Sequence, residues 1–235
     1  MIPPRMRPSA HGKSLRFVCA WPMREERGLA QLLFSLMQWL PEVDALFGTW
    51  SAVRPDNCKV LPCATADDVS VALEVSRAVA ASTASPGFAS CAYQSFFLGP
   101  LHLYRASLRV ELWHGSEGEV PLNQLQLVVH PAIDVTVARQ IMLGLVGFIK
   151  PAWAAAGPQE RPPQTFDAAR PAVGWLTYLS SLYRLPQALP PPAEVSSMKS
   201  LGVLIQALPG RFEASDELHL QALRAVERAL AESAP

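Results

Sequence analysis

The feature that most constrains this chain is a pair of alternating runs. Tyr104, Ala106, Leu108, Val110 and Leu112 alternate with Arg105, Ser107, Arg109 and Glu111, and Leu125, Leu127 and Val129 alternate with Gln124 and Gln126. A period of two turns one side of an extended segment to a core and the other to a polar surrounding, the pattern of antiparallel strands. Between the runs, residues 114–121 (HGSEGEVP) have the glycine-rich, acidic chemistry of a hairpin loop. The spacing predicts that 104–113 and 122–130 pair at the centre of a sheet, with Glu117 and Glu119 in the solvated loop that joins them.

Other segments add to the sheet. Leu15, Phe17 and Cys19 alternate in a short strand that ends at Trp21-Pro22, and Trp50–Val53 reads as another. Phe88–Phe97 is aromatic-rich, which suits a strand, as do Val173–Leu179 and the alternating Leu201, Val203, Ile205 and Ala207. Helices are marked by the spacing of one helical face. Leu29, Leu32, Leu33, Leu36 and Leu40 define the first, with Pro41 expected to end it. Thr65 caps a second, with Asp67 and Asp68 in its first turn and Val69, Leu73 and Ala80 on one face. A third runs from a cap at Asp134 or Thr136 to Ile149, and a fourth opens at Ser215 with a face of Leu218, Ala222, Val226 and Leu230. Segments through Pro55, Asn57 and Pro62, from Pro158 to Pro171, and around Pro186 and Pro190–Pro192 read as loops. The series predicts an α+β fold, a largely antiparallel sheet with about four packed helices in a single compact unit. Residues 1–12 read as a flexible Pro-rich leader and 13–235 as one domain.

Half of the 235 residues are hydrophobic and 17% are charged. That composition excludes a disordered chain, and a net charge of zero argues against a dedicated nucleic-acid binder, whose phosphate contacts demand a basic excess. The most lipid-like stretch, Ile141–Ile149, is far short of the roughly 20 residues of a membrane span. No apolar signal segment precedes it, so the cytoplasm is the expected compartment. Cys58 and Cys63 have no C-x-x-C spacing, Cys19 and Cys91 lie in apolar runs, and the five histidines form no closely spaced pair. Reduced thiols are expected, with no metal and no cofactor. No G-x-S-x-G, P-loop or H-E-x-x-H motif occurs. Cys91 could be drawn beside His102, His114 or His130 as a nucleophile and base, but any chain with four cysteines and five histidines permits that drawing. No catalytic residue is assigned. Gly144 and Gly147 read as small residues for close helix packing.

Charge is uneven along the chain. Residues 61–135 hold seven acidic and three basic residues, among them Asp67, Asp68, Glu111, Glu117 and Glu119. Part of this is helix-start carboxylate and solvated loop; the functional reading is an acidic surface that faces a basic partner.

Two segments carry a family resemblance. Phe17-Val-Cys-Ala-Trp21-Pro22-Met-Arg-Glu-Glu26 leads into a helix that ends Leu40-Pro-Glu-Val-Asp-Ala-Leu-Phe-Gly-Thr-Trp50; further on, Pro151-Ala-Trp153 is followed by Val173-Gly174-Trp175-Leu-Thr-Tyr178-Leu-Ser180. This order, over roughly residues 14–232, resembles the immunity protein 52 family of bacterial polymorphic toxin systems. The resemblance implies a non-enzymatic protein that neutralises a cognate toxin with a restriction-endonuclease-type nuclease domain, often delivered by type VI secretion. It implies no cofactor, and contact with neither nucleic acid nor a membrane. Trp21, Pro22, Trp50, Gly174, Trp175 and Tyr178 are expected to build the core, and Asp67, Asp68, Glu111, Glu117 and Glu119 to meet the toxin. The competing readings are an effector adaptor or chaperone and, from another class, a small thiol-dependent hydrolase.

Overall fold

The strand β1 (Leu15–Pro22) organises the architecture of the computed structural model, which describes residues 14–22, 28–44, 47–53, 60–82, 88–96, 104–113, 122–129, 133–158, 171–210, 212–213 and 215–233. β1 lies between β6 (Leu122–Val129) and β7 (Trp153–Pro158), antiparallel to both, so that Cys19 stands opposite Leu125 on one side and Ala154 on the other. Beyond β6 come β5 (Tyr104–Trp113), β4 (Phe88–Phe96), β2 (Thr49–Val53) and β3 (Val60–Pro62). Beyond β7 come β8 (Leu176–Ser180), β10 (Gly202–Gln206) and β9 (Glu194–Ser197). Among the described residues every pairing is antiparallel, in one sheet of ten strands. The predicted hairpin is present near its middle, with Leu108 opposite Leu127 and Val110 opposite Leu125.

Alternation along the strands divides the core in two. Phe17, Cys19, Leu108, Leu125, Leu127 and Ala154 pack with α1 (Leu29–Val43), α2 (Ala66–Ser82) and α3 (Val135–Ile149). Val18, Ala20, Trp153, Ala155 and Ile205, in the opposite phase, pack with Leu223, Val226 and Leu230 of α4 (Glu217–Ser233). The sheet is thus layered by three helices on one side and by one on the other, where α4 serves only the β1, β7, β8 and β10 end. The fold is α+β, with four helices among the described residues and an antiparallel sheet, as the periodicities predict.

Several boundaries differ from the sequence reading, each for a physical reason. Pro41 does not end α1: it lies in the last turn, where its missing N–H forfeits one helical bond, and the helix runs to Val43 with the Asp44 N–H donating to the Leu40 carbonyl. The segment to Pro62, read as a loop, ends in β3. The segment around Trp153 is the strand β7, whose Trp153, Ala154, Ala155 and Ala156 are all buried; a strand covered on both faces shows no alternation. β9, within the proline-rich stretch, is short and mostly exposed and so leaves no apolar pattern. Leu218 is 73% exposed, because the face of α4 that packs is formed by Leu223, Val226 and Leu230. Cys19 and Cys63 are free, buried thiols, and burial pushes the Cys19 thiol far above its ordinary value. The side chain of Cys91 and the residues Ala80, Cys58, His102, His114 and His130 lie outside what the structure describes at side-chain level.

The two glycines of α3 separate cleanly. A Cβ at Gly144 would overlap the Trp39 indole of α1, which also packs at 5.6 Å against Phe148. Gly147 has nothing within 4 Å, so helix packing accounts for Gly144 alone. Gly144→Ala is expected to displace Trp39 and lower stability by about 1–3 kcal/mol. Gly147→Ala should raise it by up to about 1 kcal/mol through helix propensity. Urea unfolding followed by tryptophan fluorescence measures both; equal shifts of one sign would refute the assignment.

Candidate functional site

The start of α2 is built by a local exchange of hydrogen bonds. The Asp68 carboxylate accepts from the Ala64 N–H at 3.0 Å, the Thr65 N–H at 2.8 Å and the Thr65 hydroxyl at 2.9 Å, while the Asp68 N–H donates to Thr65 Oγ1 at 3.3 Å. This is a capping box with aspartate in the reciprocal position. The bonds from Thr65 hold the Asp68 carboxyl below its usual value. The stability it adds is therefore present at neutral pH and is lost as pH falls through that lowered value. Asp68 is thus committed to the helix end. Asp67 beside it is exposed, and Asp67, Val71 and Glu74 follow one another along the outer side of α2.

Topology brings further carboxylates to this end. α1 leads into β2 and α2 follows β3, which runs antiparallel to β2; the Cys63 N–H donates to the Trp50 carbonyl at 3.0 Å. The chain thus enters β2 from α1, and leaves β3 into α2, at the same end of the β2–β3 pair, with Glu42 and Asp44 at the end of the one helix and Asp67 and Asp68 at the start of the other. Acidic residues at a helix C-terminus oppose the helix dipole, and α1 has no basic residue in its last turn. Asp44 is the C-cap of α1 and its carbonyl accepts from the Phe47 N–H, whereas Glu42 is exposed in the last turn. Charge counted along the chain places Glu42 and Asp44 in a segment of net positive charge, so only the packing of α1 on α2 could reveal the grouping.

Of the remaining predicted acidic residues, only Glu111 lies among the described residues. Glu111 belongs to β5, opposite Gln124 of β6, in the alternation phase opposite to Ala106, Leu108 and Val110, which pack towards the helices. Glu117 and Glu119 lie outside the described residues. Among the described residues, no group of three or more His, Cys, Asp or Glu side chains is placed to hold a metal ion, and no helix is long and apolar enough to cross a membrane.

The aromatic motif is a structural staple. Gly174 passes so close to the Ala156 carbonyl of β7 that a Cβ would overlap it. The Gly174 N–H donates to Thr177 Oγ1 at 3.0 Å, and the Thr177 hydroxyl donates back to the Gly174 carbonyl at 3.1 Å. Trp175 and Tyr178 are 1% and 2% exposed. Their polar ends reach the flanks of β10: the Trp175 indole N–H donates to the Leu208 carbonyl, and the Tyr178 hydroxyl donates to the Leu201 carbonyl at 2.6 Å. Large aromatics whose polar handle is satisfied suit a core. Trp50 is also buried; Trp21 is half-buried against the main core, and Pro22 closes β1 opposite Leu122.

No curated protein matches the chain. A solved structure of a Pseudomonas aeruginosa T6SS protein is similar at a TM-score of 0.49 and 12% identity, covering 91% of this chain and 77% of that one. The model of the family described as immunity protein 52 matches residues 116–234, from the hairpin loop to the end of α4. That span holds the Gly174–Tyr178 staple and leaves the Trp21-Pro22 segment outside. On that match, over half of its length, the chain belongs to the immunity protein 52 family.

Proposed function

We propose that the chain binds and neutralises a nuclease toxin made by the same cell, without catalysis of its own. The observation that carries the reading is membership of an immunity family, which implies a cognate toxin as partner. The nuclease class, delivery by type VI secretion and a cytoplasmic site of action are our inference from the family resemblance. A nuclease cleft must attract phosphate and so presents Lys and Arg. Carboxylates can stand in for that phosphate, which steers the encounter and fixes its specificity. The acidic residues available are Asp67 with Glu42 at the helical end, and Glu111, Glu117 and Glu119 on and beyond β5; Asp68 contributes charge from within its cap.

The test has two arms, each using purified toxin domain titrated at two salt concentrations. Glu117→Ala with Glu119→Ala is expected to weaken binding at least tenfold, about 1.4 kcal/mol, and to flatten the salt dependence. The parallel pair Glu42→Gln with Asp67→Asn leaves the α2 cap intact and reports on the helical end. Unchanged affinity in both arms moves the interface off the acidic surfaces, with the α4 start around Glu213, Asp216 and Glu217 next to test. Co-expression with the toxin separates immunity from an adaptor role, because only an immunity protein spares the cell.

A further inference from the structure

One end of the sheet gathers exposed cations and exposed leucines. The Ser180 N–H donates to the Ala152 carbonyl at 3.0 Å, and Ser180 stands opposite Gly202. The start of β7, the end of β8 and the start of β10 therefore lie side by side, and three turns meet there. Lys150 is the C-cap of α3, two residues before Ala152. Leu182, Arg184 and Leu185 follow β8. Lys199 and Leu201 precede β10, in a turn closed by the Leu201 N–H donating to the Met198 carbonyl at 3.0 Å. The three cations are exposed, and Leu182, Leu185 and Leu201 are 76%, 37% and 39% exposed. The turns (150–152, 181–185 and 198–201) contain no acidic residue, and none of the three cations has an ion-pair partner among the described residues. Two of the cations are held at a cost. Lys150 and Lys199 have φ of 49° and 52°, a left-handed backbone that favours glycine, and they are the only non-glycine residues so held among those described. Glycine would serve either turn better; what it could not supply is the charge.

We propose that this end of the sheet docks on an anionic phospholipid surface, with the leucines entering the headgroup layer and the cations meeting lipid phosphates. The charge is complementary, since cations with no acid among them are drawn to a negative membrane surface. The residue types separate a bilayer from a protein. Lysine is depleted from protein interfaces, whereas at a membrane surface its stem lies along apolar groups while its charge stays solvated. The extent of the patch argues the same way. Three partly exposed leucines on turns offer far less than the roughly 800 Å² that each partner gives to a stable protein interface. A peripheral membrane contact has no such minimum, because each leucine and each cation adds its own share. This departs from the family resemblance, which implies no membrane contact, and it does not rest on toxin binding.

The test is co-sedimentation of the full chain with vesicles of phosphatidylcholine and phosphatidylglycerol, against vesicles of phosphatidylcholine alone. The chain should bind the anionic vesicles and not the neutral ones, and be released as salt rises to about 0.5 M. Lys150→Gly and Lys199→Gly should each weaken partition about fivefold, and together more than tenfold. Neither should lower the melting temperature, because glycine suits the backbone at both positions. That combination separates lost docking from lost folding. Leu182→Ser, at an exposed site, should weaken partition about fivefold with melting unchanged. No binding to anionic vesicles at about 1 mM lipid, equal binding to both kinds of vesicle, or glycine variants that bind like wild type would each overturn the proposal. If the wild-type chain ignores vesicles while the two glycine changes weaken its grip on the purified toxin domain, the surface belongs to an acidic protein partner and the membrane assignment falls.

Discussion

Replacement of Gly174 by valine is expected to abolish the soluble folded protein. The Cβ at this position would overlap the backbone of Ala156, and a backbone carbonyl cannot turn away as a side chain can. β7 and β8 would have to part at the Ala156–Leu176 pair, and β7 is buried on both faces between β1 and β8. A defect of this kind belongs with the largest single-residue effects, above about 4 kcal/mol, against a total stability of roughly 5–15 kcal/mol. Soluble yield and circular dichroism measure it. Gly157→Ala is the control: its Cβ would meet the Gly174 Cα at 3.8 Å, an ordinary contact, and the variant should fold. A Gly174→Val protein with wild-type yield and melting would mean that the approach of these two strands is not what the glycine serves.

Trp175→Ala is expected to cost about 3–5 kcal/mol. The side chain is almost wholly buried in the main core, and its indole N–H is satisfied by the Leu208 carbonyl. Truncation leaves a cavity and an acceptor without its donor. The midpoint of urea unfolding should fall while toxin affinity, corrected for the folded fraction, stays near wild type. Loss of affinity in a variant that remains folded would instead place this tryptophan in the interface.

What the sequence disclosed followed from contrast between the faces of each element. α1 and α3 bury one side and expose the other, and β5 and β6 alternate, so their periods could be read directly. β7 was hidden because Trp153-Ala-Ala-Ala is buried on both sides, and alanine carries no strand preference. β3 and β9 were hidden because short edge strands have too few buried residues to form a pattern. Leu218 misled because it continues the helical spacing of α4 one turn beyond the stretch that meets the sheet. The candidate surface was legible only in part. Asp67 and Asp68 stood out as first-turn carboxylates, whereas Glu42 and Asp44 join them only through the packing of α1 beside α2. That grouping is a property of space and is not carried by spacing along the chain.

The position of β1 has a consequence in time. The first strand among the described residues finds its two neighbours a hundred or more residues later, in Leu122–Val129 and Trp153–Pro158. During synthesis it waits unpaired until both have been made, and closing such long loops slows the search for native partners. The half of the sheet from β2 to β6 can assemble early from neighbouring hairpins, but its union with the half from β7 to β10 passes through β1. The middle of the sheet therefore cannot close before Trp153–Pro158 has been made, which sets the earliest point in synthesis at which β1 is covered on both sides.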